Sequence, residues 1–265
     1  MNEKDDPLKT FFRELPGAAR KILLLDYDGT LAPFRVERDQ AVPYPGIREI
    51  LTRIEDSDNC RLVIISGRGV KDVRPLLGLE PPPEIWGCHG WERLLPDERL
   101  LPPELPVAAQ QGLIAARTWS EQLGLGERLE VKPASVAVHW RGLTEDEISA
   151  LRDKVTVAWQ EVIVGSALEL HHFDGGLELR CPGRDKGFAV RTVLAEEPSG
   201  TTVAYLGDDL TDEDAFKALQ GHGLGVLVRQ EARPTAASLR ITPPEELLDF
   251  LRRWADACEE NMHHG

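Results

Sequence analysis

The chain has 265 residues, 42% of them hydrophobic and 29% charged, with a formal net charge of −14. That length can bury a full core in one large domain or two moderate ones, and the composition is that of an ordinary soluble globular protein. The acidity argues against a nucleic-acid binder, which must neutralise phosphates with Lys and Arg; it leaves room for a small anionic ligand, since a divalent metal and a few placed cations reverse the sign locally.

The opening stretch, "MNEKDDPLKTFFRELPGAARK", is acidic at its start and lacks the apolar core of a signal peptide. No apolar run approaches the ~18 to 20 residues of a membrane span. The four cysteines (Cys60, Cys88, Cys181, Cys258) are scattered without Cys-x-x-Cys spacing, so neither a zinc site nor a disulfide framework is indicated. A reducing cytoplasm is the expected location. No internal repeat or low-complexity tract interrupts the chain.

The next element is "KILLLDYD" (21–28), four aliphatic residues that stop on Asp26 and Asp28. "RLVIISGR" (61–68) ends on Ser66 in the same way, and "TTVAYLGDD" (201–209) ends on Asp208 and Asp209. Such runs have the length and aliphatic content of strands buried on both faces, as parallel strands are. "PGIREILTRIED" (45–56) and "KGFAVRTVLAEE" (186–197) carry helical apolar spacing, and "GLGVLVR" (223–229) reads as a further strand. The alternation predicts a doubly wound, Rossmann-like α/β sheet, whose functional groups lie beyond the carboxyl ends of its strands. The acids and Ser66 all fall there.

Between residues 101 and 182 the pattern changes. "LPPELP" precedes a helical stretch (107–123), then come "RLEVK" and "SVAVHWR", a second helical stretch (144–163), and "ALELHH" with "GLELR". These strands alternate apolar and polar residues, as antiparallel strands covered on one face do. Val136, Val138 and Trp140 point one way, Ser135, Ala137, His139 and Arg141 the other; Leu177 and Leu179 oppose Glu178 and Arg180. The expectation is a small sheet with two helices on one face and a polar second face, inserted near Pro103 and Pro182–Gly183. The core would then be residues 1–103 and 183–265, with an α/β cap over 104–182.

The strand ends carry the chemistry. A carboxylate can attack phosphorus when a cation neutralises the approaching charges, and a second acid two residues on can move the protons. Taken alone, Asp-x-Asp followed by Gly29 also reads as a polar strand end and turn, and Ser66-Gly67 as a turn. Asp208 and Asp209 suit a hard, oxygen-preferring cation such as Mg²⁺. Thr211 is expected to cap a helix, with Asp212 and Glu213 either helix-dipole acids or ligands. Lys186, near a helix start, opposes the macrodipole and calls for an anionic partner.

In this order, "DYDGT", "ISGR", "RDKG" and "GDDLTDEDAF" resemble the four motifs of the haloacid dehalogenase superfamily, most of whose members are Mg²⁺-dependent phosphotransferases. The resemblance implies Asp26 as nucleophile and Asp28 as general acid/base, with Ser66 and Lys186 holding the phosphoryl group. It implies Mg²⁺ on Asp26, the backbone carbonyl of Asp28 and Asp208, with Asp209 or Asp212 in support. From about residue 20 to 250 the chain also resembles trehalose-6-phosphate phosphatases, through "GCHGWE", "LEVKPASVAVHWR", "LELRCPGRDKG" and "YLGDDLTDEDAF". That resemblance implies that Glu130, Lys132, Arg141 and Glu178 bind the sugar or phosphate from the cap, and that Arg68, His89, Gly90 and Glu92 help from the core. One departure stands out: where the family carries a lysine shortly before the glutamate matched by Glu178, this chain has Asp174, Gly175 and Gly176. The implied protein hydrolyses trehalose 6-phosphate through an aspartyl phosphate and binds no nucleic acid or membrane, with a monomer as the working expectation. Another phosphorylated glycoside (glucosylglycerol, mannosylglycerate or sucrose type), a phosphomutase and a silent sugar-phosphate-binding subunit are the alternatives.

Overall fold

The computed structural model describes residues 7–35, 37–173 and 175–260, so the first six residues and Asp174, both read above, lie outside it. The chain divides into two compact units, Met1–Leu101 with Asp185–Gly265, and Pro102–Arg184.

In chain order the first unit contributes α1 (Pro7–Glu14), β1 (Lys21–Leu25), α2 (Ile47–Glu55), β2 (Cys60–Ile65), α3 (Val70–Leu77), β3 (Glu84–Gly87), β4 (Glu92–Leu94) and β5 (Leu100–Leu101). The second unit comprises α4 (Val107–Gln122), β6 (Leu129–Lys132), β7 (Ser135–His139), α5 (Glu145–Ser166), β8 (Glu169–Phe173) and β9 (Gly176–Arg180). The first unit then resumes with α6 (Lys186–Ala195), β10 (Thr202–Gly207), α7 (Glu213–Leu219), β11 (Leu224–Val228), β12 (Leu239–Ile241) and α8 (Glu245–Glu260).

The large sheet runs β12-β11-β10-β1-β2-β3-β4-β5. Pairing is parallel from β12 through β3, and β4 and β5 are added antiparallel. Successive residues of β1 enter opposite cores, because side chains alternate across a strand. Leu23 and Leu25 join the apolar layer that includes α1, α2 and α8, while Ile22 and Leu24 join the layer built with α6 and α7. In α2, Ile47, Ile50, Leu51 and Ile54 are all buried, an apolar stripe at helical spacing that holds the helix on the sheet. From β1 the chain winds outward through β2 and β3, then returns on the other side of β1 as β10 and β11. The direction of winding therefore reverses between β1 and β10, the position where open α/β sheets leave a crevice for ligands.

Glu84–Gly87 and Glu92–Leu94 lie outside the strands expected from the sequence. They form β3 and β4, short strands that sequence periodicity resolves poorly because three or four residues hold barely two alternations.

The second unit is one antiparallel sheet, β6-β7-β9-β8, with α4 packed on β6, β7 and β9 and α5 packed along α4. Val136, Val138, Leu177 and Leu179 are buried. A capping box starts α5: Thr144 Oγ1 accepts from the Glu147 amide, and the Glu147 carboxylate accepts from the Thr144 amide. No helix among the described residues is long and apolar enough to cross a membrane.

Candidate active site

The carboxyl ends of β1, β2 and β10 bring Asp26, Ser66 and Asp208 to one edge of the large sheet. Asp26 is buried directly after β1, its amide donating to Leu206 O of β10 at 2.9 Å. Gly29 turns the chain with φ 83°, and a Cβ there would collide with the Asp208 carboxylate, so only glycine lets the two loops approach.

Lys186, the first residue of α6, crosses to this edge. Its Nζ donates to Asp26 Oδ1 at 2.6 Å and to Asp212 Oδ1 at 2.7 Å, with all three residues buried. The unfavourable helix-start charge is therefore matched by carboxylates rather than by the dipole. Burial disfavours the Lys186 cation, but Asp212 and Asp26 outweigh it and lift its pKa above the usual lysine range. Burial pushes Asp26 up to about 7, with Lys186 offsetting only part of the effect. Asp208 is pushed up to about 9, by burial first and then by repulsion from Asp26 and Asp212.

Asp212 has no spare lone pair. Besides Lys186, its Oδ1 accepts from Tyr205 Oη at 2.5 Å, and its Oδ2 accepts from the amides of Asp208 and Asp209 at 3.0 and 2.9 Å. A carboxylate offers about four acceptor positions, and here all are used. Thr211, expected to cap the following helix, does not. Asp209 is instead the Ncap of the single turn Leu210–Asp212 that precedes α7, in a reciprocal box with Asp212, and α7 itself starts behind Asp212 without a side-chain cap. An aspartate carboxylate at the Ncap reaches the amide three residues on, which places the cap two positions earlier than the sequence suggested.

Carboxylate oxygens of Asp26, Asp208 and Asp212 lie within 4.8 Å of one another. Asp26 Oδ2 and Asp208 Oδ1 are buried without a hydrogen-bond partner. Leaving such atoms unmatched is costly, and two orphaned carboxylate oxygens beside a loaded third carboxylate are the donor set of a hard divalent cation. The residues present therefore fit Mg²⁺. Asp209 is exposed and stands outside this group of three.

The turn after β2 is fixed by the segment after β3. Ser66 Oγ accepts from the Arg68 amide at 3.1 Å, the His89 amide donates to Ser66 O at 3.0 Å, and the Cys88 amide donates to Arg68 O at 2.8 Å. Glu92 Oε2 accepts from the Val70 amide at 2.8 Å, so this carboxylate caps the start of α3. Gly90, at φ 98°, lies where a Cβ would stand 3.0 Å from Asp185 O, just before Lys186. Arg68 forks onto Asp28: Nε to Oδ2 and Nη2 to Oδ1, both at 2.6 Å. Thus His89, Gly90 and Glu92 support the turns that carry Ser66, Arg68 and Lys186.

The polar face of the small sheet gathers its own group. The strand register sets Glu130 and Glu178 on either side of Ala137. Lys132 Nζ lies 3.6 Å from Glu130 and 3.8 Å from Glu178, His139 Nε2 is 3.0 Å from Glu130, and Ser135 Oγ donates to Glu178 at 2.6 Å. Arg141 lies past the end of β7, exposed against Gly175, and takes no part in these pairs.

Two contributors escaped the sequence. Tyr205 is signalled only as a hydroxyl inside the apolar stretch of β10, whose other hydroxyl is Thr202 at the first position. Arg233, whose Nη2 donates to Asp209 O at 2.7 Å and so braces the acid loop, comes from a loop with no local signal.

The family model described as trehalose-phosphatase matches residues 24–245. A trehalose-phosphate phosphatase of Mycobacterium avium (strain 104) is 34% identical over 257 residues, covering 89% of this chain. The chain spans 62% of that relative's length. A trehalose-phosphate phosphatase of Mycobacterium marinum is 32% identical over 269 residues, covering 96% of this chain and 67% of the relative. The solved structure of Aspergillus fumigatus trehalose-6-phosphate phosphatase superposes with a TM-score of 0.70 over 95% of this chain and 98% of its own, at 22% identity. That last likeness concerns the fold.

Proposed function

The chain belongs to the trehalose-phosphatase family, and from that premise we propose that it is a Mg²⁺-dependent phosphatase that hydrolyses trehalose 6-phosphate to trehalose and phosphate. The observation that carries the reading is the buried Asp26–Lys186–Asp212 group beside two partnerless carboxylate oxygens. It is a nucleophile with a matched cation and a place for a second one.

In this reading Asp26 attacks phosphorus to form an aspartyl phosphate while Asp28 gives a proton to the departing sugar oxygen. Asp28 then takes a proton from the water that releases phosphate and restores Asp26. Lys186 and the Ser66 hydroxyl hold the transferred group, and Asp26, the Asp28 carbonyl and Asp208 would hold Mg²⁺. When bound, the ion supplies charge neutralisation for the attack of one anion on another. Asp212 and Asp209 serve as supports, since Asp212 orients Lys186 and both loop amides, and Asp209 caps the turn. Glu130, Lys132 and Glu178 read the sugar, carboxylates accepting from hydroxyls and the lysine donating. His89, Gly90 and Glu92 serve as supports of the core turns, and Arg141, exposed past the end of β7, adds a cation for the sugar or its phosphate.

The four cysteines are free thiols, all buried, which suits a reducing cytoplasm. The test is phosphate release from a panel of trehalose 6-phosphate, sucrose phosphate, glucosylglycerol phosphate and a phosphorylated mannosylglycerate, with Mg²⁺ and after chelation. The expected result is Mg²⁺-dependent turnover that prefers trehalose 6-phosphate. A preference for another panel member would move the substrate and keep the chemistry. Full activity after exhaustive chelation would rule the mechanism out.

A further inference from the structure

We propose that Arg68 is a positioning residue that acts through Asp28: its guanidinium sets the plane of the acid/base carboxylate and does not grip the substrate. The inference rests on the phosphatase reading above, with Asp28 as its proton carrier.

The turn "SGRG" carries Arg68 on a backbone tied at both sides. Its amide donates to Ser66 Oγ at 3.1 Å and its carbonyl accepts from the Cys88 amide at 2.8 Å. One turn further, the Val70 amide is held by Glu92 at 2.8 Å. The side chain is nearly enclosed, 6% exposed, with its guanidinium 5.8 Å from the centre of the Tyr27 ring. It reaches Asp28 as a fork, Nε and Nη2 each 2.6 Å from a different carboxylate oxygen.

Asp28 has no comparable anchor of its own. Its carboxylate is 27% exposed, follows the strand end just before the Gly29 turn, and makes no other hydrogen bond among the described residues. Left alone, a short exposed carboxylate samples several rotamers, and proton transfer tolerates little of that wander. A planar guanidinium bound at two points fixes both the position and the plane of a carboxylate, which a lysine's point charge cannot do.

The fork also leaves the chemistry open. It occupies one lone pair on each Asp28 oxygen, and each oxygen keeps another for a proton. In the first half-reaction the bond from Asp26 to phosphorus forms, the ester P–O bond breaks, and the proton passes from Asp28 to the leaving oxygen. In the second the bond from water oxygen to phosphorus forms, the bond to Asp26 breaks, and a water proton returns to Asp28. The sum is one ester and one water consumed, with Asp28 and Arg68 restored.

The experiment is a double-mutant cycle on the full chain with Mg²⁺, comparing wild type, Arg68→Ala, Asp28→Asn and the double variant. The substrates are trehalose 6-phosphate, whose alkoxide leaves poorly, and an aryl phosphate, whose phenolate leaves well. Arg68→Ala should lower kcat for the sugar ester by on the order of 10- to 100-fold, part of the 10²- to 10⁴-fold carried by the acid itself. The same change in the Asp28→Asn background should cost less than about 3-fold, because residues that act as one unit are non-additive. KM should move little, and single-turnover release of the phenolate should be the least affected. Arg68→Lys, which keeps charge and loses the fork, should be nearly as slow as Arg68→Ala.

Equal costs in both backgrounds, a raised KM with unchanged kcat, or full activity of Arg68→Lys would each overturn the proposal, as each describes a substrate grip or a bare charge. Circular dichroism checks folding. If Arg68→Ala does not fold, Arg68→Lys and Arg68→Gln carry the cycle, and loss of the fold in all three would show a structural role and overturn the proposal too. A wild type that turns over neither ester would take down the phosphatase reading and this inference together. An additive cycle in an active enzyme removes only the inference.

Discussion

At the scale of single residues, Lys186 is the hinge of the site, one cation placed against three buried acids. Burying an unmatched charge costs several kcal/mol, so removing either side of this group leaves the other poorly tolerated. Lys186 holds Asp26 by Oδ1 at 2.6 Å and leaves Oδ2 without a partner. The same carboxylate thus has one oxygen oriented by the protein and one available for metal or phosphorus. Asp26→Asn should abolish turnover, because the amide is a poor nucleophile and a weaker metal donor. The fold should persist, since the residue sits past the end of β1 rather than within the apolar layers. Phosphate release and circular dichroism on a clean preparation check both statements, and retention of more than a few per cent of activity would contradict the nucleophile assignment.

At the scale of elements, the small sheet shows how register makes a surface. Glu130 on β6 and Glu178 on β9 share a row because both pair with Ala137 on β7. Lys132, one step along β6, lies 3.6 and 3.8 Å from the two carboxylates. These distances and their partial exposure make the ion pairs weak contributors to stability, at most about 1 kcal/mol each. Their removal should spare the fold and report on ligand. Glu130→Ala and Lys132→Ala should each lower kcat/KM for trehalose 6-phosphate by roughly 10- to 150-fold, the equivalent of a charged hydrogen bond of ~1.5 to 3 kcal/mol. A small aryl phosphate should be almost unaffected. The quantity to measure is the ratio of the two losses, and a ratio near one would end the sugar-reading role of this face.

At the scale of the whole molecule, a chain of net charge −14 concentrates buried acids at one sheet edge, and this links its stability to pH. Burial raises Asp26 to about 7 and Asp208 to about 9, with like charges adding to the second. The folded protein therefore keeps protons that the unfolded chain, with ordinary carboxylates, has already released. The contribution of these two acids to the stability of the metal-free protein is fully present below the ordinary carboxylate range and is lost as pH rises from there through about 7 and on toward about 9. Lys186, lifted above its usual range, stays charged throughout that window. Mg²⁺ needs the ionised oxygens, so it should raise Tm more in mildly alkaline than in mildly acidic buffer. Calorimetry across the window, with and without Mg²⁺, tests this. A metal-free Tm that climbs with pH, or a larger Mg²⁺ response on the acidic side, would contradict it.

Much of this was legible along the chain because period and punctuation are local. "KILLL", "RLVII" and "TVAYLG" announce strands buried on both faces, and the acids that end them announce the working edge. The alternation in "SVAVH" and "GLELR" separates the polar from the apolar face of the small sheet before any fold is drawn. What the sequence left open is who meets whom. Asp212 could have been a helix-dipole acid or a ligand, and only the crossing of α6 to β10 loads it with Lys186 and Tyr205. Arg68 read as a hand for the substrate, and only the tied turn after β2 brings its fork onto Asp28, 40 residues earlier. Glu92, which the resemblance implies helps at the substrate, also caps α3 with one carboxylate oxygen, because β3 and β4, too short to be seen by periodicity, fold it back. Local pattern encodes which residues are polar at an edge; the long-range pairing of strands determines which of their lone pairs are already spent.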